Sequence, residues 1–391
     1  MRVALSGHSA LSALRALRAE GCDLGQFPRV DLLSPDPAPA KRWTRRAFGE
    51  QVLAFSHNGT LELAVPEARQ RIRTKGVSCT VYSEGLPGNS YIDTGRGYLL
   101  PCPELLFVEM GNELSPIAQT LLGMELCGTY SRPGAYQLAP ATTAAKIRCF
   151  IRTLWHINGV RQARGASARL IDSAWSPMEA IIAALVSLPL YEMGYGLRKL
   201  QLNPRLNNDE NATRRIPDIL VAGTKVGLNY EGEAHLDLGG IVRAATEATL
   251  SPKSASSQKV LDKAVGRVRD KYVDDRRRDR ELWEAGLTVF TVTKEDLYAK
   301  GAFDSLMLSV YSAIERDTCR DMSRHREFIL DKRFRHERQL RIWSLLPGKT
   351  GDEARRELLA EFPNGAPYFD YLIDETAPIA YVETDSGSLA F

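Results

Sequence analysis

Between Arg214 and His235 the chain reads RRIPDILVAGTKVGLNYEGEAH, two short apolar runs that each carry an acid, Asp218 in the first and Glu231 in the second. Along 226–231, Val226, Leu228 and Tyr230 recur with period two and share one face of a strand, while Gly227, Asn229 and Glu231 share the other. The second face is polar, so it is either exposed or lines a site. Further along the period changes. In DDRRRDRELWEAG the residues Asp275, Arg278, Asp279 and Leu282 are spaced i, i+3, i+4 and i+7, one face of a helix, and the β-rich run LTVFTVT follows. Ahead of the strand pair, SPMEAIIAALVSLP has Ser176 to cap a helix, Pro177 for its first position and Glu179 in its first turn. Helix, strands, helix, strand restricts this part of the chain to an α/β (α+β) architecture of αβββα type with a mixed sheet.

If 226–231 pairs with Ile216–Val221, Asp218 approaches Asn229 and Glu231. Carboxylates brought together repel unless a cation or a proton compensates. Oxygen clusters of this kind suit Mg2+ or Mn2+, which need few protein ligands, and such an ion can polarise a phosphoryl oxygen and acidify a bound water. Leu282 anchors its helical face in the core, which draws Arg278 toward the sheet, where it can pair with an acid or receive a phosphate. Asn229 can ligate a hard cation through its carbonyl but adds no charge.

Pro217-Asp218, then Gly232 and His235 in YEGEAH, then Asp275, Arg278, Asp279, Leu282 and Gly286, resemble the restriction-endonuclease-like, PD-(D/E)XK superfamily, in its very-short-patch-repair-endonuclease-like branch. The resemblance covers roughly residues 170–300. It implies a divalent-metal-dependent endonuclease acting on DNA, in phage defence or repair. It also implies Asp218 and Glu231 as Mg2+ or Mn2+ ligands assisted by Glu179 or Glu233, His235 as general acid or base, and Arg278 steadying the phosphate or the site. Asn229 and Asp275 take supporting places. One departure matters: Asn229 stands where the branch has its first strand acid, and Glu231 where it has Asp. A shifted reading takes Glu231-Gly232-Glu233 as the acid pair. The alternative is a catalytically inactive nuclease-fold protein that acts as a nucleic-acid-binding or antitoxin-like regulator.

The remainder of the 391 residues is enough for two or three domains in all, and 44% hydrophobic with 25% charged residues is the balance of a soluble globular chain. A net charge of +3 is too near neutral to argue for nucleic acid by itself; 274–280 and 324–341 are locally basic, and each run taken alone reads as a solvated helix face. Six cysteines lie scattered without a CxxC pair, which argues against a zinc ribbon and for a reducing compartment. The apolar stretch AIIAALVSLPLY is too short to span a bilayer and the N-terminus reads as an amphipathic helix, so a cytoplasmic protein is expected.

In the first half, residues 7–20 read as a helix with Ser6 or Ser9 as cap, SPDPAPAK as an extended connector, and QVLAFSHNGTLELAV as a hairpin about Asn58-Gly59. Short strands to about residue 100, two helices broken near Asn112 and a helix at 142–157 follow. This run of short strands and then PELLFVEMGNELSPIAQTLLGMELCGTYS resembles the middle region of AbiEi-like abortive-infection proteins, which implies a regulatory or nucleic-acid-sensing module. The expected domains are 1–157 for that module, 158–302 for the nuclease-like domain, and 303–391 for one or two charged helices and a loosely patterned tail. A helical insertion is expected at 240–272. Gly348-Lys349-Thr350 makes no phosphate-binding loop, because Trp343 stands where the first glycine is required.

Overall fold

A computed structural model describes residues 2–33, 48–83, 86–130, 139–204, 216–231, 255–361, 382–383 and 389–390. The chain divides into two compact units, Met1–Ala180 and Ile181–Glu361, so the division falls inside one helix and residues 303–361 share a unit with the paired strands of the opening motif. Both units are mixed α/β.

In the first unit a sheet has the order β2-β5-β6-β1-β3-β4, with β1 at Val3–Leu5, β2 at Arg29–Val30, β3 at Leu61–Val65, β4 at Val77–Val81, β5 at Tyr91–Asp93 and β6 at Tyr98–Pro101. β1 runs parallel to β6 and antiparallel to β3, which is parallel to β4. Helix α1, Gly7–Ala19, leaves β1 directly, and its Ala10, Leu14 and Leu17 are fully buried. The Asn58-Gly59 turn forms, with both residues at positive φ. It does not close a strand hairpin, because the run before it is the short helix α2, Glu50–Leu53, and only His57 and Thr60 bridge. Helices α3, Pro103–Glu109, and α4, Pro116–Leu126, break near Asn112 as expected, and the Ser115 hydroxyl caps α4 by accepting from the Ala118 amide at 3.0 Å. Helix α5, Ala144–Arg152, is capped by Thr143 and ends five residues short of the expected 157. After α6, Val160–Ser167, comes α7, Pro177–Ser187.

The second unit holds a four-stranded sheet of order β10-β9-β8-β7. Its strands are β7, Leu200–Leu202, β8, Ile219–Val221, β9, Val226–Glu231, and β10, Thr288–Thr293, with helix α8, Ala255–Glu284, between the last two. β7, β8 and β9 form an antiparallel meander, and β10 lies parallel to β9 over six residue pairs. A helix between two parallel neighbours is the crossover that this pairing requires. Val226, Leu228, Val292 and Leu282 are buried, so α8 covers the sheet through Leu282. The helical insertion is described only from Ala255 onward; the rest of 240–272 lies outside the described residues.

Beyond the sheet come α9, Lys294–Tyr298, α10, Ala302–Thr318, α11, Ser323–Leu330, α12, Lys332–Ser344, and α13, Gly348–Glu361. Three helices therefore cover most of 303–345, and the first part of the expected loose tail is helical. Arg338 of α12 is fully buried; it makes two 2.7 Å bonds to the Asp304 carboxylate and donates to the Ile329 carbonyl at 2.8 Å. Tyr195 donates to the same carboxylate at 2.8 Å. The basic run 324–341 is thus only partly a solvated face. No described helix is long and apolar enough to cross a membrane. All six cysteines are free; Cys102 and Cys127 are buried, and Cys149 and Cys319 are exposed.

Candidate functional site

The pairing of β8 with β9 places the sequence motif. Ile219 pairs with Leu228 and Leu220 with Gly227, which sets Asp218 opposite Asn229. Gly227 allows the strands to close there, since a Cβ on it would lie 2.9 Å from the Ile219 carbonyl and 3.0 Å from Pro217. At Asp218 side chains take over the ladder. The Asp218 amide donates to the Asn229 side-chain oxygen at 3.0 Å, and the Tyr230 amide donates to Asp218 Oδ2 at 2.8 Å. The polar face of β9 is therefore not a solvent face, for Asn229 is only 5% exposed.

Arg278 projects from α8 into this corner. Its Nη2 donates to Asp218 Oδ1 at 2.6 Å, to the Ile216 carbonyl at 3.1 Å and to Asn229 Oδ1 at 3.2 Å. Both side chains of the ion pair are largely covered, at 25% and 13% exposure for Arg278 and Asp218. Of the two fates open to Arg278, pairing with an acid is the one realised. Asp279, expected on the same helical face, instead points outward and pairs with Arg276 at 3.5 Å. Asp275 is half-buried on α8.

Glu231 ends β9 and pairs in register with Thr293 of β10, so Asp218 faces Asn229 and not Glu231. Glu179 belongs to the first unit, where its carboxylate accepts from the Trp175 amide at 2.9 Å and its own amide donates to the Ser176 hydroxyl at 3.2 Å, a helix-capping role. Glu233 and His235 lie outside the described residues. Among the described residues no group of three or more His, Cys, Asp or Glu is placed to hold a metal ion. Both Asp218 oxygens and the Asn229 oxygen already accept hydrogen bonds, and among the described residues the cation bonded to them is the Arg278 guanidinium. As arranged, these residues do not fit Mg2+ or Mn2+, which demand close oxygen ligands and favour carboxylates.

A second polar centre, not anticipated from sequence, lies in the first unit. A cavity of about 370 Å³ is lined by Ser6, Glu62, Tyr82, Glu109, Asn112 and His156, among others. Its acids serve the start of α1, which has no side-chain cap of its own. The Gly7 amide donates to Glu109 Oε2 at 2.9 Å and the His8 amide to Glu62 Oε2 at 2.6 Å. Tyr82 donates to Glu109 Oε1 at 2.6 Å. Burial pushes the Glu109 carboxyl up to about 7, against the lowering effect of its hydrogen bonds, and the neighbouring Glu62 charge adds to the rise. Glu62 is raised as well, again chiefly by burial. The available signal was an acid inside an apolar run, in LELAV and in PELLFVEM.

Comparison of the chain with protein-family models, with curated proteins and with solved structures gave no match.

Proposed function

We propose that this chain binds nucleic acid through a restriction-endonuclease-like second unit that does not cut it. The observation that carries the reading is Asn229. A neutral amide, 5% exposed, stands opposite Asp218 where the resembled branch has an acid, and its oxygen is engaged by the Asp218 amide and by Arg278. The meander β7-β8-β9, the crossover helix α8 and the parallel β10 support the nuclease-like part of the reading. A second reading is a Mg2+- or Mn2+-dependent DNA endonuclease. Asp218, held in place by the Tyr230 amide, and Glu231 at the end of the adjoining strand favour it.

The test combines binding and cleavage. Fluorescence anisotropy with labelled duplex DNA, single-stranded DNA and RNA should show binding that weakens as salt rises, as phosphate contacts require. Plasmid incubated with the chain and Mn2+ should remain supercoiled. Nicking that disappears in Asp218→Ala overturns the non-cutting part in favour of the endonuclease. Failure to bind any of the three nucleic acids overturns the proposal as a whole.

A further inference from the structure

Arg278 Nη2 is approached by three oxygens of different kinds: a carboxylate at 2.6 Å, a main-chain carbonyl at 3.1 Å and a side-chain amide at 3.2 Å. A guanidinium –NH2 has two protons, so it cannot give all three a linear hydrogen bond. Oxygens converging on one point are the surroundings of a spherical cation, and carboxylate, carbonyl and amide oxygens are ligand types that hard divalent ions take. The corner is also reinforced from outside: the Tyr230 amide holds the second Asp218 oxygen at 2.8 Å, and the Asp218 amide holds the Asn229 oxygen at 3.0 Å. The carboxylate and the amide are thereby oriented independently of the arginine.

We infer that this corner is a cation niche whose resident cation is the protein's own Arg278, standing where a hard divalent ion would otherwise sit. The consequence concerns both metal and folding. The niche takes no metal while Arg278 is in it, and the ends of β8 and β9 are joined to α8 by a charge that the chain supplies itself, without depending on divalent ions. Charge balance agrees, since one guanidinium neutralises one carboxylate. A divalent ion on the single Asp218 carboxylate would keep a net positive charge, which the neutral Asn229 does nothing to offset. The inference rests on the geometry of the corner and stands whether or not the chain binds nucleic acid.

The experiment contains no nucleic acid, so its outcome is separate from that of the proposed function. The full-length chain is titrated with MnCl2, read by loss of the free-ion electron paramagnetic resonance signal, and melted with Mn2+ and with EDTA. The quantity scored is the part of the uptake that Asp218→Asn abolishes. In wild type that part should be absent, and the melting temperature the same in Mn2+ and EDTA. Arg278→Lys should behave likewise, because an ammonium brings the same charge and three protons for three oxygens. Arg278→Ala should gain Asp218-dependent uptake, and Arg278→Ala combined with Asn229→Glu should tighten it about tenfold or more by adding a charged ligand. Asp218-dependent Mn2+ uptake or Mn2+ stabilisation in wild type overturns the inference. So does a folded Arg278→Ala/Asn229→Glu variant, checked by circular dichroism, that takes up no Mn2+ through Asp218. Should the alanine variants fail to fold, the wild-type and Arg278→Lys measurements decide it alone.

Discussion

Glu109 makes the stability of the first unit depend on pH in a direction opposite to the usual one for carboxylates. Its folded pKa is about 7, above the ordinary glutamate value of 4.5, because burial disfavours the charged form. Below pH 4.5 the carboxyl is protonated in both folded and unfolded chains and contributes no pH dependence. Between 4.5 and 7 the unfolded chain releases the proton while the folded chain keeps it, so folding loses about 1.4 kcal/mol for each pH unit climbed. By the time pH passes the folded value the accumulated loss is about 3 kcal/mol. Above it both states are ionised and the loss is constant.

Glu109→Gln should therefore be relatively more stable than wild type at pH 8 than at pH 4.5, by about that same 3 kcal/mol. The amide oxygen can still accept from Gly7, and the Tyr82 hydroxyl can turn to accept from the new –NH2. For a unit of this size the differential corresponds to on the order of 6–12 °C in melting temperature. Denaturation of wild type and variant, side by side at pH 4.5, 6 and 8, isolates the contribution, since every other titrating group is common to both. A difference between the two proteins that stays constant across the range would show that Glu109 ionises in the fold as it does in water, and the burial argument would be refuted.

Gly7 opens α1 at φ +53, and a Cβ there would lie 2.5 Å from Glu62 Oε2, the oxygen that receives the His8 amide. Gly7→Ala should cost about 3 kcal/mol, from strained backbone and a displaced carboxylate together; an unchanged denaturation midpoint would contradict this. In the second unit, Arg338→Met leaves the Asp304 carboxylate covered and without its cation, and breaking a buried pair in this way costs about 3–5 kcal/mol. Arg338→Met combined with Asp304→Leu should recover part of that loss, and chemical denaturation of the two variants compares them directly.

Sequence periodicity was informative wherever the partner of a residue lies within a turn or along a strand. The strand VGLNYE, the break at Asn112 and the Ser-Pro start of α7 depend on local spacing, and the structure has them at those places. Local spacing was silent where the partner is distant. Arg338 sits in a run of charges that reads as a solvated face, yet the acid that lets it be buried is Asp304, 34 residues away. Arg355 of α13 is buried because it donates to the Ser344 carbonyl at 2.8 Å, supplying a donor near the C-terminal end of α12. GKTGDEARRELLAE, which looks like tail, is a helix that packs through Ala354, Arg355 and Leu358. At α1 the nearby serine was the expected cap, but the acids of β3 and α3 reach the same amides from across the fold.

The same distinction governs how the candidate site is to be understood. Asp218 faces Asn229 because Ile219 faces Leu228, and both of those are buried, at 1% and 0% exposure. Sliding β9 by one residue turns Leu228 toward the other face, among the polar groups that Asn229 and Arg278 occupy. Sliding it by two keeps the faces and would set Glu231 opposite Asp218. It would also either pull β9 out of its six-pair parallel register with β10 or carry β10 with it. The apolar residues of the sheet thus assign Asp218 a neutral partner with no reference to chemistry. The charge of Asp218 is met by Arg278, which its spacing from Leu282 had already brought to the sheet.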